Sequence, residues 1–237
     1  MIFNKKPAPS LLDWKQSFQA LEKNAPQGPL KRFYEQGAVA YDTPLRDTSM
    51  VSLDLETTGL NPEKDAIVSA GLVPLNHQRI QCRGSKYWMF TPDSPLSHKS
   101  VTIHEMTHED LNGAPSLEDC FEEVLAALAK KVVIVHCVHI EREFLLKASL
   151  KLYGQPLYFP ILDTMEIENR ILKQRSWIEK LKQGRISIRL DACRQRYNLP
   201  RYKAHHALTD AYSSAELLQA QMAHHLDEDQ PISNYWL

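Results

Sequence analysis

The stretch Val51-Ser52-Leu53-Asp54-Leu55-Glu56-Thr57-Thr58-Gly59-Leu60 constrains this chain more than any other. It sets two carboxylates one residue apart at the end of an apolar run and then stops the run with a turn. In a strand, residues i and i+2 project from the same face. Asp54 and Glu56 therefore point the same way and repel unless something positive lies between them. Paired carboxylates at a strand end suit a hard divalent cation such as Mg²⁺. The alternative is an edge strand with its acids in water, and further acids later in the chain weigh against it.

Hydrophobic residues make up 43% and charged residues 24% of the 237 positions, an ordinary balance for a chain that buries a sizeable core. One domain with a modest extension is the expectation at this length. The net charge of −1 means that nucleic-acid binding must rest on a local basic patch. Cys82, Cys120, Cys137 and Cys193 are scattered with no C-x-x-C pair, which argues against a zinc site or a disulfide framework. No apolar stretch reaches the ~20 residues of a membrane span. Met1 to Lys6 lack the order of a signal peptide, so a soluble, cytoplasmic protein without membrane contact is expected.

Residues 1–48 read as a helical extension, with Leu11, Trp14, Phe18 and Leu21 at helical spacing and a second short helix through Leu30–Gln36. Residues 49–226 form the main domain and 227–237 a short tail. Strands are expected over Met50–Leu55, Ala66–Leu75, Arg79–Phe90, Val132–Val135 and Tyr158–Leu162. Ser116 is a plausible N-cap for a helix carrying Phe121, Val124, Leu125 and Leu128. Further helices are expected over Glu141–Leu152, through most of 164–197, and from near Ala207 through Met222. Strands first, then strands alternating with helices, predict an α/β layer structure with a mixed sheet.

If Asp54 and Glu56 hold a cation, other carboxylates must join them. Asp210 is one candidate, early in the last helix, with His205 just ahead on a less regular segment. A histidine there is the usual general base near neutral pH. His206 reads as a solvent-facing neighbour. The third place is His136-Cys137-Val138-His139-Ile140-Glu141, where a buried strand ends and a helix opens with Glu141 in its first turn. Glu143 is turned away by Phe144 and Leu145. In open α/β sheets, sites form at the carboxyl ends of strands. Glu141 also has a reading as a favourable charge at a helix start.

These blocks, in this order, resemble the DnaQ-like family of 3′–5′ exonucleases, in particular its histidine-bearing DEDDh branch, which includes polymerase III epsilon subunits, RNase T and oligoribonuclease. Asp54 through Leu60 matches the first motif and His205 through Ala211 the third. Ile103-His104-Glu105-Met106-Thr107 looks like the family's I-H-x-x-T block, and Asp163-Thr164 like its D-T after the fifth strand. The second motif departs from the usual H-N-x-x-F-D, with Glu141 in place of the Asp and with the Asn and Phe replaced. The likeness covers roughly residues 50–225.

The resemblance implies a ribonuclease-H-like fold and two Mg²⁺ or Mn²⁺ ions held by Asp54, Glu56, Glu141 and Asp210. It implies that His205 deprotonates the attacking water and that the 3′-terminal nucleotide leaves as a 5′-monophosphate. Thr57, Thr58 and Gly59 would offer backbone N–H groups to that nucleotide, Leu60 would wedge against its base, and His104 would position substrate. The expected substrate is the 3′ end of single-stranded DNA, with RNA as the alternative. A basic run from Arg170 to Lys203, with Trp177 and Tyr202, is a candidate strand-binding surface, and a pair of solvated helices is its equal alternative. A DNA polymerase or a sliding clamp stands as a candidate partner, the latter because Gln230–Leu237 sets a glutamine before apolar and aromatic residues. Two rival readings remain: a degenerate binding module, supported by Glu141, and a haloacid-dehalogenase-type phosphatase, whose downstream G-D-x-x-x-D acidic pair is not found.

Overall fold

The computed structural model describes residues 13–92, 111, 113–174 and 186–237. Their strands form one five-stranded sheet in the order β3-β2-β1-β4-β5. The strands are β1 (Met50–Thr57), β2 (Ile67–Leu75), β3 (Lys86–Met89), β4 (Val132–Val135) and β5 (Ile161–Asp163). β1, β2 and β3 are an antiparallel meander, whereas β4 and β5 run parallel to β1. The carboxyl ends of β1, β4 and β5 therefore share one edge. This is the mixed sheet flanked by helices that the sequence predicts.

The helices are α1 (Trp14–Asn24), α2 (Pro29–Glu35), α3 (Leu117–Leu128), α4 (Val138–Tyr153), α5 (Thr164–Lys173), α6 (Leu190–Arg196) and α7 (Ala207–His225). α3 starts on a capping box, in which the Ser116 hydroxyl accepts the Asp119 N–H at 3.2 Å and the Asp119 carboxylate accepts the Ser116 N–H at 3.1 Å. α4 ends at Gly154, whose φ of +65° suits a residue without Cβ and whose N–H returns to the Leu150 carbonyl. β4 reads Val-Val-Ile-Val and every residue is buried, as befits a parallel strand covered on both faces.

Three elements start three or more residues later or earlier than expected. The third strand begins only at Lys86, because the Asn76 side chain accepts the N–H groups of Gln78 and Arg79 in a tight reversal and Cys82–Gly84 coil into a 3-10 turn. β5 begins at Ile161 rather than Tyr158: the Tyr158 N–H goes to the Tyr34 hydroxyl at 3.0 Å, and Pro160 has no N–H to give. α4 begins at Val138, three residues before Glu141.

Trp14, Phe18, Phe33 and Tyr34 pack edge-on or tilted against one another and join the same apolar core as the sheet. The Tyr34 hydroxyl also donates to the Pro156 carbonyl at 2.8 Å, tying α2 to the connection between α4 and β5. The C-terminal residues run back over the body. Ile232, Tyr235 and Trp236 are buried, and the Leu237 N–H donates to the Ile161 carbonyl at 2.7 Å. Among the described residues, no helix is long and apolar enough to cross a membrane.

Candidate active site

β1 delivers two carboxylates to one face of the sheet. Asp54 pairs across the ladder with Gly71 and Glu56 with Ser69, and the register slips between Glu56 and Thr57. That irregularity bends the strand end out of the sheet just past the second acid. Gly71 has its own part in the site. A Cβ there would sit 2.2 Å from the Ala207 carbonyl carbon and 2.2 Å from the Leu208 nitrogen. The first residues of α7 thus lie directly on β2 beside Asp54, in space that any side chain would occupy.

α7 brings the third acid. Its N-cap, His206, makes no side-chain cap, and the Asp210 carboxylate instead accepts the His205 N–H at 2.8 Å. This bond holds His205 in a left-handed conformation with φ +68°, one that a non-glycine residue keeps only when its surroundings impose it. Ligand atoms of Glu56, His205 and Asp210 all lie within 4.8 Å of one another. His205 itself is exposed, so a nucleotide can reach it. The neighbouring His206 is exposed too, and its ring stacks on Tyr87 at 4.7 Å.

Glu141 enters from the other side. It is 2% exposed, and its Oε2 has no hydrogen-bond partner. Burial lifts its carboxyl above the usual range, and the negative charges of Asp163 and Glu56 push the same way. Burial likewise raises Asp54 well above the ordinary carboxylate range, aided by Glu141, Glu56 and Asp210 around it. Asp210 is raised by burial and by Glu56, with the His205 N–H pulling against them. The four acids therefore share one electrostatic neighbourhood, although Asp54 and Glu141 stand outside the tight group of three.

So many half-dry carboxylates cannot all ionise together without cations between them. The donor set is all oxygen with one nearby imidazole, as hard divalent ions prefer. The partnerless Glu141 Oε2 is a ready ligand atom in a place where water is excluded. The residues fit a site for such ions.

Comparison with known proteins identifies the family. Residues 51–218 match the RNase_T exonuclease family. The chain belongs to that family. It is accordingly an enzyme of the 3′–5′ exonuclease class. A DNA polymerase III PolC-type protein of Thermotoga petrophila is 27% identical over 179 residues, 76% of this chain and 12% of the relative. The DNA polymerase III epsilon subunit of Treponema pallidum is 26% identical over 188 residues, 79% of this chain and 82% of the relative. The exonuclease thus spans only a small part of its PolC-type relatives and most of an epsilon subunit.

Similar solved structures include exonuclease X with 5′-overhanging duplex DNA (TM-score 0.57, 19% identity, 78% of this chain and 98% of that one). The nuclease domain of 3′hExo, a DEDDh family member bound to rAMP, has TM-score 0.62 and 14% identity over 77% of this chain and 94% of its own. The zinc-bound E. coli ExoI–ssDNA complex has TM-score 0.63 and 15% identity over 75% of this chain and 41% of its own. At such identities the likeness concerns the fold, the ribonuclease-H-like sheet of these nucleases.

Several expectations about this exonuclease change in the structure. The Thr58 N–H is already donated to the Ala66 carbonyl at 2.9 Å, so it is not available to a nucleotide. The Thr57 hydroxyl donates to the Gly59 carbonyl at 2.6 Å and the Thr58 hydroxyl to Asp65 at 3.3 Å, which braces the turn from within. Leu60 stands 81% exposed at its tip. The basic run is partly consumed internally. Arg194, 4% exposed, bonds Glu216 and the carbonyls of Ser213 and Pro200, while Arg196 pairs with the buried Glu168. The Tyr202 ring lies over the Arg194 guanidinium at 4.8 Å. His104 and Trp177 lie outside the described residues, as do Arg175, Lys180, Lys182 and Arg185.

Gly71 and Asp65 escape a reading of the motifs. Gly71 did leave a signal, as a glycine inside an otherwise apolar strand. For Asp65, five residues past Leu60, the chain holds no pattern beyond an acid in a turn.

Proposed function

We propose that this exonuclease removes nucleoside 5′-monophosphates one at a time from the 3′ end of single-stranded nucleic acid, DNA in preference to RNA, using two divalent ions, Mg²⁺ or Mn²⁺. The observation that carries this reading is the meeting of Glu56, His205 and Asp210 within 4.8 Å, beside Asp54 and the partnerless buried oxygen of Glu141. Asp54, Glu56 and Asp210 would hold one ion, and Asp54 with Glu141 the other. When bound, the ions supply positive charge to the scissile phosphate and to the attacking and leaving oxygens.

The chain's own groups do the rest. His205 accepts the proton of the water that attacks phosphorus, and the bond from phosphorus to the 3′ oxygen breaks. The exposed Leu60 packs against the terminal base. DNA is favoured because the relative covered over most of its length is a DNA polymerase III epsilon subunit. A polymerase partner follows from the same likeness. The aromatic residues of the clamp-like tail, Tyr235 and Trp236, are each only 4% exposed.

The test is degradation of 3′-labelled and 5′-labelled single-stranded DNA and RNA with Mg²⁺, Mn²⁺ or EDTA. Loss of the 3′ label first, as mononucleotide and only with metal, is expected, faster on DNA. Tight binding without cleavage would instead favour a degenerate binding module, and release of inorganic phosphate a phosphatase.

A further inference from the structure

Asp163 closes β5 and takes no part in the chemistry above. Its carboxylate is buried where the starts of two helices meet. Oδ1 accepts the N–H of Cys137 at 3.1 Å and of Met165 at 2.8 Å, and Oδ2 accepts the N–H of Val138 at 3.0 Å. Both oxygens are thus committed to backbone N–H groups, at the N-termini of α4 and α5 together. A carboxylate is well matched to that position, where unpaired N–H groups and helix dipoles converge.

α4 has no cap of its own. Its N-cap residue, Cys137, makes no side-chain cap and sits at φ +95° and ψ +74°. Local sequence does not favour that geometry, so the turn from β4 into α4 is imposed from outside. The flanking residue is tied to the same place: His136 Nδ1 lies 2.8 Å from the Thr164 hydroxyl, and its Nε2 lies 3.0 Å from the Ile188 carbonyl. Glu141 follows on the first turn of α4, buried and with one oxygen unpartnered. A side chain so enclosed can point only where the anchored turn sends it.

We infer that Asp163 is the positioning residue for Glu141: by clamping the first turn of α4 it sets where this carboxylate enters the metal site. The inference rests on the active-site reading of Glu141. Asp163→Asn tests it with little change of shape, since the amide keeps one acceptor but turns an N–H₂ toward a backbone N–H. The measurements are Mn²⁺ binding by electron paramagnetic resonance, kcat and KM on single-stranded DNA, and thermal melting, for D163N, E141A and the double variant.

D163N should weaken the more weakly bound Mn²⁺ and lower kcat by about 10- to 100-fold, with KM and the tighter ion little changed. In the E141A background D163N should add nothing further, because the two changes act through one carboxylate. Losses that multiply in the double variant, or equal weakening of both ions, would overturn the inference. So would wild-type Mn²⁺ binding in D163N. If D163N fails to fold, C137G/D163N takes its place, since glycine accepts a positive φ without steric cost. Should the wild type cleave neither DNA nor RNA, the proposed function fails, and the Mn²⁺ measurement alone still decides the part played by Asp163.

Discussion

Gly71→Ala adds a single methyl group at a position with no side chain of its own. Its Cβ would meet the Ala207 carbonyl carbon at 2.2 Å, the Leu208 nitrogen at 2.2 Å and the Ala207 oxygen at 2.3 Å. Ordinary contact begins near 3.4 Å, so the start of α7 must retreat from β2 by about 1.2 Å. These are backbone atoms packed on a sheet and cannot swing aside as a side chain would. Overpacking of this kind costs about 1–3 kcal/mol, which in a chain of this size lowers Tm by roughly 2–12 °C. The catalytic effect is larger than the loss of stability suggests, because His205 and Asp210 ride on the displaced residues while Asp54 and Glu56 stay on β1. A misplacement of about 1 Å costs about 100-fold in rate. The assay is kcat on 3′-labelled single-stranded DNA at a temperature where the variant is fully folded by circular dichroism. Gly84→Ala is the control, since its Cβ would come no closer than 3.1 Å, to the Pro74 Cγ. Wild-type kcat in G71A would refute the argument that the α7–β2 contact sets the site's geometry.

Asp54→Ala should abolish cleavage while the metal-free protein melts no lower than wild type, because the change relieves repulsion rather than packing; retained activity would sink the two-metal assignment. Glu141→Asp should keep measurable activity and Glu141→Ala should lose most of it, and a fully active E141A would show that the second motif is misaligned. Without metal, the contribution of the acid cluster to stability should fall as pH rises. Asp54, Glu141 and Asp210 have folded-state carboxyls raised by burial and by one another, so the folded state holds more protons above the ordinary carboxylate range. Melting in EDTA from pH 4 upward should therefore show a Tm advantage of D54N/E141Q over the wild type that grows with pH, and Mg²⁺ should restore the wild type near pH 7.5. A difference that stays flat or shrinks across this range would contradict the assigned directions.

What the sequence determined by itself was the chemistry and its local presentation. The strand period alone puts Asp54 and Glu56 on one face, and a helix start so near His205 and Asp210 limits where that acid can lie. Runs such as Val132–Val135 announce a strand buried on both faces. These are short-range consequences of backbone geometry, legible in neighbouring letters. Tertiary structure alone decided how closely the pieces meet. Glu141 lies where it does because a carboxylate 22 residues later, Asp163, caps its helix, and so α4 starts at Val138 instead of at the acid. Arg194 and Arg196 read equally as part of a surface for phosphates or of solvated helices until the fold supplied Glu216 and Glu168 as partners. Gly71 reads as a weak point in a strand until α7 lies across it. Each of these depends on a contact between residues far apart in the chain, and no periodicity encodes the partner of such a contact. The acids were written in the sequence; the distances between them were set by the fold.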